Sequence, residues 1–260
     1  MSELNEAQLS SREQFQRQSA NYGKTHILAN VADVEAALDG VPLATQGRAL
    51  DVATGGGHTA LYLASRGFAV TASDVTPAML ENTAKLAAER GISVETALHV
   101  AEELPYPDGT FEIVSCRVAG HHFSDPAAFV RESARVLTPG GVLLVIDGSV
   151  PDGEPEAEAW IHRLEKLRDP SHGRFLTPGT WSALCEAAGL AIVKCGTTPL
   201  KQPDLEWYFQ TAATPDDNRR QVRELIASAP EAAHRVFQIA DEEGKTTWWW
   251  PRLALVARKA

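Results

Sequence analysis

Arg48-Ala49-Leu50-Asp51-Val52-Ala53-Thr54-Gly55-Gly56-Gly57-His58 reads as a short buried strand with an acidic residue near its end, a glycine turn and the start of a helix. Three consecutive glycines let the backbone take conformations closed to other residues and let a ligand approach with no Cβ in the way. A helix expected from His58 to about Ser65 aims its unpaired N–H groups and positive dipole end at that turn. Asp74 follows Gly55 by 19 positions and closes the next apolar run, Phe68-Ala69-Val70-Thr71-Ala72-Ser73. A carboxylate placed there can accept hydrogen bonds from both hydroxyls of a ribose. The stretch therefore points to a nucleoside-bearing ligand.

Two such ligands fit the spacing. Gly55-x-Gly57-x-x-Ala60, with Asp74 at its distance, has the form of a dinucleotide fingerprint and admits a nicotinamide cofactor. Asp51 weighs the other way, because a carboxylate close to the turn repels a pyrophosphate and suits a cationic or amino-bearing ligand. Asp51-x-Ala53-x-Gly55-x-Gly57 resembles motif I of the class I S-adenosylmethionine (SAM) methyltransferases, usually an acidic residue followed by Gly-x-Gly-x-Gly. Ala53 stands where the first of those glycines is usual.

Composition narrows the partners. The 260-residue chain is 44% hydrophobic, enough to bury a full core, and its net charge of −10 argues against nucleic acid, whose phosphates call for a basic surface. Cys116, Cys185 and Cys195 are odd in number and widely spaced, and form neither a disulfide framework nor a metal motif. Residues 1–22 are polar and mixed in charge, and no run approaches the ~18 apolar residues of a membrane span. The expectation is a cytoplasmic protein without a membrane partner, working on a small molecule as a monomer or homodimer.

Outward from the turn, strands and helices alternate. Residues 1–45 read as an N-terminal helical cap segment, with helical spacing at 4–22 and again at 27–38. Residues 46–150 read as an α/β core: strands at 49–53, 68–74, 94–100, 111–116 and 142–147, and helices at 58–65, 76–90 and 125–137. Thr138-Pro139-Gly140-Gly141 is expected as a tight turn into the fifth strand. This alternation implies right-handed crossovers and a parallel sheet covered on both faces. Its ligand crevice lies at the carboxyl ends of the strands, where Asp51, Asp74, Ala101 and Cys116 fall. Segments 151–175 and 200–244 are helical insertions, and 176–199 with 245–260 complete the sheet. In the closing part, Lys245–Trp250 and Leu253–Arg258 read as two strands joined through Pro251.

The whole chain resembles the small-molecule class I methyltransferases, of the type that includes the ubiquinone/menaquinone C-methyltransferases. Beyond motif I, the likeness rests on Ala101-Glu102-Glu103-Leu104-Pro105-Tyr106-Pro107-Asp108, on Cys116-Arg117-Val118-Ala119-Gly120-His121-His122-Phe123, and on Arg135-Val136-Leu137-Thr138-Pro139-Gly140-Gly141. The resemblance implies a Rossmann-like, mostly parallel seven-stranded sheet in the order 3-2-1-4-5-7-6, with strand 7 antiparallel, helices on both faces and a small helical lid. It implies that Ala53, Gly55 and Gly57 lie against the methionine part of SAM, with Asp51 near its amino group. Asp74 would hold the ribose, with Val75 and Met79 beside the adenine, which Ala101 and Glu102 also contact. Cys116 and Arg117 would close the site under the methyl group, and Tyr22 would cap it. An aspartate common before that alanine is here Val100.

Transfer of a sulfonium methyl needs chiefly alignment of the acceptor, and a base only where the acceptor loses a proton. His122, at the mouth of the fourth strand, is the candidate base, and His121 beside it is a candidate substrate contact. No third ligand at useful spacing makes a metal site of the two. Arg168, His172 and Arg174 fall in the lid insertion and are candidate substrate contacts, as is Trp207 of Trp207-Tyr208-Phe209, not all of which can face one side of a helix. Trp248-Trp249-Trp250 is expected in a packed edge strand or subunit contact rather than in a substrate wall. The activity implied is methyl transfer from SAM, yielding S-adenosylhomocysteine (SAH). A SAM-binding protein without transfer and an NAD(P)-dependent oxidoreductase are the alternatives, though no Tyr-x-x-x-Lys pair serves the latter.

Overall fold

A computed structural model describes residues 3–22 and 27–260, so the parts of the expected cap segment at 1–2 and 23–26 lie outside the described residues. Its strands are β1 (Gly47–Val52), β2 (Phe68–Asp74), β3 (Glu95–Leu98), β4 (Phe111–Arg117), β5 (Leu137–Gly148), β6 (Leu190–Gln202), β7 (Ala240–Glu242) and β8 (Lys245–Lys259). They form one sheet in the order β3-β2-β1-β4-β5-β8-β6, with the short β7 paired only to the start of β8. The first five run parallel, and β8 is antiparallel to both β5 and β6. With β7 set aside, this is the expected seven-stranded order, β8 serving as the antiparallel strand.

The helices are α1 (Glu6–Gln18), α2 (Ala32–Leu38), α3 (His58–Ser65), α4 (Pro77–Arg90), α5 (Pro126–Val136), α6 (Pro155–Arg168), α7 (Pro178–Ala187), α8 (Leu205–Ala212), α9 (Asp216–Ala227) and α10 (Glu231–Phe237). Local signals account for their ends. Asp125 and Thr177 cap α5 and α7 through their side chains, each followed by a proline in the first turn, where a missing N–H costs nothing. Gly91, in the left-handed conformation at φ 65°, closes α4.

The sheet buries one apolar cluster on each face. Phe111, Phe129, Val130, Leu143 and Trp181 pack on one side, and Val34, Leu63, Val70, Ile113 and Leu144 on the other. A third cluster lies under α6, α8, α9 and α10, where Trp160, Ile161, Leu164, Tyr208, Phe209, Trp248 and Trp250 meet. Trp248 and Trp250 are buried in that cluster, and over 248–250 β8 pairs with β6 alone, its pairing with β5 covering only Arg252–Arg258, so the tryptophans stand in a packed edge stretch of the strand.

Three boundaries differ from expectation for physical reasons. The helix expected over 27–38 begins as a single 3-10 turn at Ile27–Ala29; the Asn30 side chain then takes the Ala32 N–H, and α2 starts afresh. Thr138–Gly141 bulges within β5, with a register shift between Phe111 and Ile113 of the partner strand, rather than forming a separate turn. The closing strand runs unbroken through Pro251 because Pro251 sits opposite Pro199, so the two missing N–H groups fall in one rung.

Candidate active site

The turn after β1 shapes the first of two neighbouring cavities. Ala53, Gly55 and Gly57 all have positive φ, at 54°, 54° and 79°. A Cβ on Gly57 would stand 2.7 Å from Thr83 Cγ2, so α4 approaches the turn only because no side chain is there. Thr83 Oγ1 donates to the Gly55 carbonyl at 3.0 Å, and the Thr54 N–H donates to the Ser73 carbonyl at 2.8 Å. Asp74 ends β2 beneath the turn, its Oδ2 accepting from the Gly55 N–H at 3.0 Å and its Oδ1 from the Thr76 N–H at 2.9 Å. Each oxygen keeps a second lone pair, and the residue lines the cavity. Two adjacent hydroxyls fit that unfilled capacity, as a ribose would supply.

The cavity encloses about 890 Å³ with its mouth included, and Val75, Met79, Ala101, Glu102, Arg117 and Tyr22 share its wall with Ala53 and Gly55. Burial pushes the Asp74 carboxyl upward in pKa against the amide donors that favour its charge. Asp51 lies deeper, 1% exposed, with its carboxylate accepting from Ser115 Oγ and Thr54 Oγ1, both at 2.6 Å. Burial raises it to about 6, with those hydroxyls pulling the other way. A carboxylate so placed sits behind the turn and off the cavity wall, so it can reach a ligand only through its field. Among the described residues, no group of three or more His, Cys, Asp or Glu is placed to hold a metal.

Four expected contacts look different in place. Gly57 is at the back of the turn, against Thr83, rather than on the cavity wall. Cys116, near the end of β4, points into the buried core and is absent from the cavity wall, and burial drives its thiol well up in pKa. Glu102 does line the cavity, but its side chain accepts from the Ser124 N–H at 2.8 Å and from Gln8 Nε2 at 3.0 Å, tying α1 to the site. The Arg117 guanidinium donates to Asp33 and to the carbonyls of Leu28 and Asn30 at 2.6–3.0 Å, so it anchors the segment before α2.

A second cavity adjoins the first, with Val118, His122, Phe15 and Tyr22 common to both walls. Val118 has φ 56°, a conformation that β-branched residues rarely accept. His121, Arg168 and Trp207 face this second cavity, together with Trp250 and Arg252. His121 Nδ1 is 2.6 Å from Asp147 Oδ1, and Asp147 Oδ2 accepts the His121 N–H at 2.8 Å. Burial works against charge on His121, but the Asp147 carboxylate outweighs it, and the pKa is raised. His122 behaves oppositely: burial and its neighbour His121 lower it to about 4. Its Nδ1 faces the Ser171 carbonyl at 3.1 Å.

Arg168 is held on all sides, donating to the Tyr208 carbonyl, Glu165 and Thr211 and lying 4.0 Å from the centre of the Tyr208 ring. Two expected substrate contacts fall away. His172 is buried beneath His121 against Phe175, and Arg174 points to solvent in a pair with Glu158. Both belong to the lid insertion, but only Arg168 of the three reaches the cavity, because α6 turns at Asp169 and carries the following residues away.

Several wall residues escaped the sequence reading. Gln8, Ser11 and Phe15 of α1 line the first cavity, as does His99, whose Nε2 is 3.0 Å from the Tyr106 hydroxyl. The capping box Asn5-x-x-Gln8 was the available sign that α1 is a firm helix rather than a loose segment. Asp147 carried no such sign, since it reads as the last residue of an apolar strand.

Comparison with known proteins follows the same lines. A family model described as a methyltransferase domain matches residues 50–145. The chain is 31% identical over 228 residues to the uncharacterised methyltransferase YcgJ of Bacillus subtilis, covering 86% of this chain and 88% of that protein. It is 30% identical over 178 residues to a 2-methyl-6-phytyl-1,4-hydroquinone methyltransferase of Synechocystis, covering 67% of this chain and 55% of that one. The crystal structure of a putative methyltransferase from Bacillus halodurans superimposes with a TM-score of 0.82 at 31% identity, covering 88% of this chain and 99% of that one.

Proposed function

The chain belongs to the class I SAM-dependent methyltransferases, acting on a small-molecule acceptor, and from that premise we propose how its two cavities divide the work. The first cavity takes SAM and the second takes the acceptor. The observation that carries this reading is Asp74: a buried carboxylate tied to the Gly55 and Thr76 N–H groups, with unused lone pairs toward a cavity rimmed by a side-chain-free turn. SAM brings a sulfonium whose methyl group is already activated. Asp74 holds the ribose, Val75 and Met79 flank the adenine, and Ala101 with the backbone of Glu102 completes that wall. Ala53 and Gly55 pass close to the methionine portion, and Asp51 supplies the negative field behind the turn for its amino group. Tyr22 covers the junction between the cavities.

His122 stands on the wall common to both cavities, which suits a residue that aligns the acceptor with the methyl group. Arg168 and Trp207, from the lid segments 151–175 and 200–244, form part of the acceptor's wall. The named acceptors of related proteins include hydroquinones, which fits a cavity walled by Tyr22, Trp207 and Trp250. The reading carries with it a cytoplasmic enzyme, monomer or homodimer, without nucleic-acid or membrane partners. Its support is the acidic balance of the sequence. Among the described residues no helix is long and apolar enough to cross a membrane. Calorimetric titration with SAH and, in parallel, NADH tests the cofactor assignment: SAH should bind tightly and NADH should not. The opposite result overturns it.

A further inference from the structure

His121 on the wall of the second cavity and the buried Asp147 behind it form a pair that alignment alone does not require. Asp147, at the end of β5 and 1% exposed, accepts three hydrogen bonds: from His121 Nδ1 at 2.6 Å, from the His121 N–H at 2.8 Å and from the Gly148 N–H at 2.8 Å. A carboxylate only accepts, so Nδ1 carries a proton, and in the neutral ring the lone pair is on Nε2. That nitrogen has no hydrogen-bond partner among the described residues, and His121 lines the second cavity. The backbone bond from His121 to the same carboxylate fixes the ring's orientation twice over. This is how a base is held ready: a nitrogen free toward the ligand, its opposite nitrogen pinned by a buried acid.

The charges on the cavity wall favour an anion formed there. Among the described residues its cations are Arg168 and Arg252, and its carboxylate is Asp169, which accepts from the Ser171 hydroxyl and N–H. The Arg168 donors are taken by Glu165, Thr211 and the Tyr208 carbonyl. Arg252 gives only Nη1 to Asp33, at 2.9 Å, and Asp33 also pairs with Arg117. Two guanidinium groups share one carboxylate, and the Arg252 Nε is buried without a partner among the described residues. Tyr22, Phe15, Trp207 and Trp250 supply flat apolar faces around this charge.

We infer that His121, oriented by Asp147, is the general base of the reaction, and that the acceptor is an aromatic compound bearing a weakly acidic hydroxyl, bound with Arg252 near its oxygen. The inference rests on the assignment of the two cavities made above. His121 Nε2 takes the hydroxyl proton as the oxygen lone pair forms the new bond to the methyl carbon. The carbon–sulfur bond breaks, its electron pair stays on sulfur, and the products are a methyl ether, SAH and a protonated His121 that returns its proton to solvent. The raised pKa of His121 agrees with this role, as the lowered one of His122 disagrees with a similar role for that residue.

The test uses the full chain, SAM and two acceptors of different acidity, 2-naphthol and the more acidic 4-nitrophenol, with turnover read as SAH release. His121→Gln and Asp147→Asn should keep SAH affinity. Turnover of 2-naphthol should fall about a hundredfold or more in His121→Gln, the usual size of a lost general base, and by a few-fold only with 4-nitrophenol, which ionises unaided. Equal losses with both acceptors would make His121 a structural residue and overturn the base. Turnover of neither by wild-type protein that binds SAH would overturn the acceptor class, whereas failure to bind SAH would overturn the cavity assignment instead. Should the variants not fold, wild-type protein decides: 4-nitrophenol added to the SAH complex should show a larger phenolate band than buffer at the same pH, and an unchanged band refutes the base.

Discussion

The two cavities share a wall yet are built in different ways. The first is assembled from the ends of neighbouring parallel strands and one turn, and much of its recognition is backbone: positive φ at three positions, a missing Cβ against Thr83, and a carboxylate held by two N–H groups. The second is assembled from side chains of α1, the turn after β4, the end of α6, α8, β6 and β8, which lie far apart in the chain. The first is therefore shaped by local geometry and suits a ligand common to a whole family. The second is shaped by tertiary packing, where single side chains can change without disturbing the sheet.

If that contrast holds, one carboxylate should matter more to the first cavity than any single side chain does to the second. Asp74→Ala removes the acceptor for two hydroxyls and the cap of the Gly55 N–H. Hydrogen bonds to a charged group are worth about 1.5–3 kcal/mol each, so SAH affinity should fall about a hundredfold or more. Far-UV circular dichroism should stay unchanged, because the residue ends a strand and packs no core cluster. Affinity within a few-fold of wild type would break the contrast at its strongest point.

Asp51 sharpens it at the next size down. With its carboxyl at about 6 in the free protein, a ligand ammonium favours the charged form, so binding below that pH must release a proton. SAH affinity should rise with pH through that range and level off above it, being about tenfold weaker at pH ~5 than at pH ~7. Asp51→Asn should flatten the profile. A flat profile in wild-type protein would mean that the ligand's cation does not feel Asp51.

The legibility of the sequence divides along the same boundary. Asp51, Ala53, Gly55 and Asp74 lie within one βαβ unit, and their spacing alone led to the strand, the turn and the helix His58–Ser65 that the structure contains. The parallel sheet was likewise readable from the alternation of elements, and its strand order from the family resemblance. Asp147, Arg252 and Gln8 had no comparable signature. Each sits in an element whose pattern explains it without function, and only the folded chain brings Asp147 to His121, 26 positions away, or Gln8 to Glu102, 94 positions away. His121 and His122 were conspicuous as a pair, but adjacent residues diverge in environment, and the choice between them depended on which one met a buried acid.

Trp207 probes the second cavity without touching the first. It stands beside buried Tyr208 and Phe209 on α8, the one of the three that reaches the cavity. Trp207→Ala should leave SAH affinity unchanged and raise the KM for 2-naphthol about tenfold, the worth of an aromatic contact of roughly 1.4 kcal/mol. A parallel loss of SAH affinity would mean that the cavities are not separable.

The smallest effect lies within the turn itself, between Ala53 and Gly57. Both have positive φ, but a Cβ on Gly57 meets Thr83 at 2.7 Å, whereas the Ala53 methyl already exists and faces the cavity. An L residue held in the left-handed region costs about 1–2 kcal/mol, and replacing alanine by glycine returns about 0.4–1 kcal/mol of freedom to the unfolded chain. Ala53→Gly should therefore stabilise the protein by about 0.5–1 kcal/mol, a rise in Tm of about 1–3 °C for a chain of this size. Calorimetric melting with and without SAH reads it. A lower Tm without ligand would show that the methyl contributes packing the φ angle does not reveal. A rise in Tm with weaker SAH binding would show instead that the methyl touches the ligand, and that the departure from glycine at this position serves the cofactor rather than the fold.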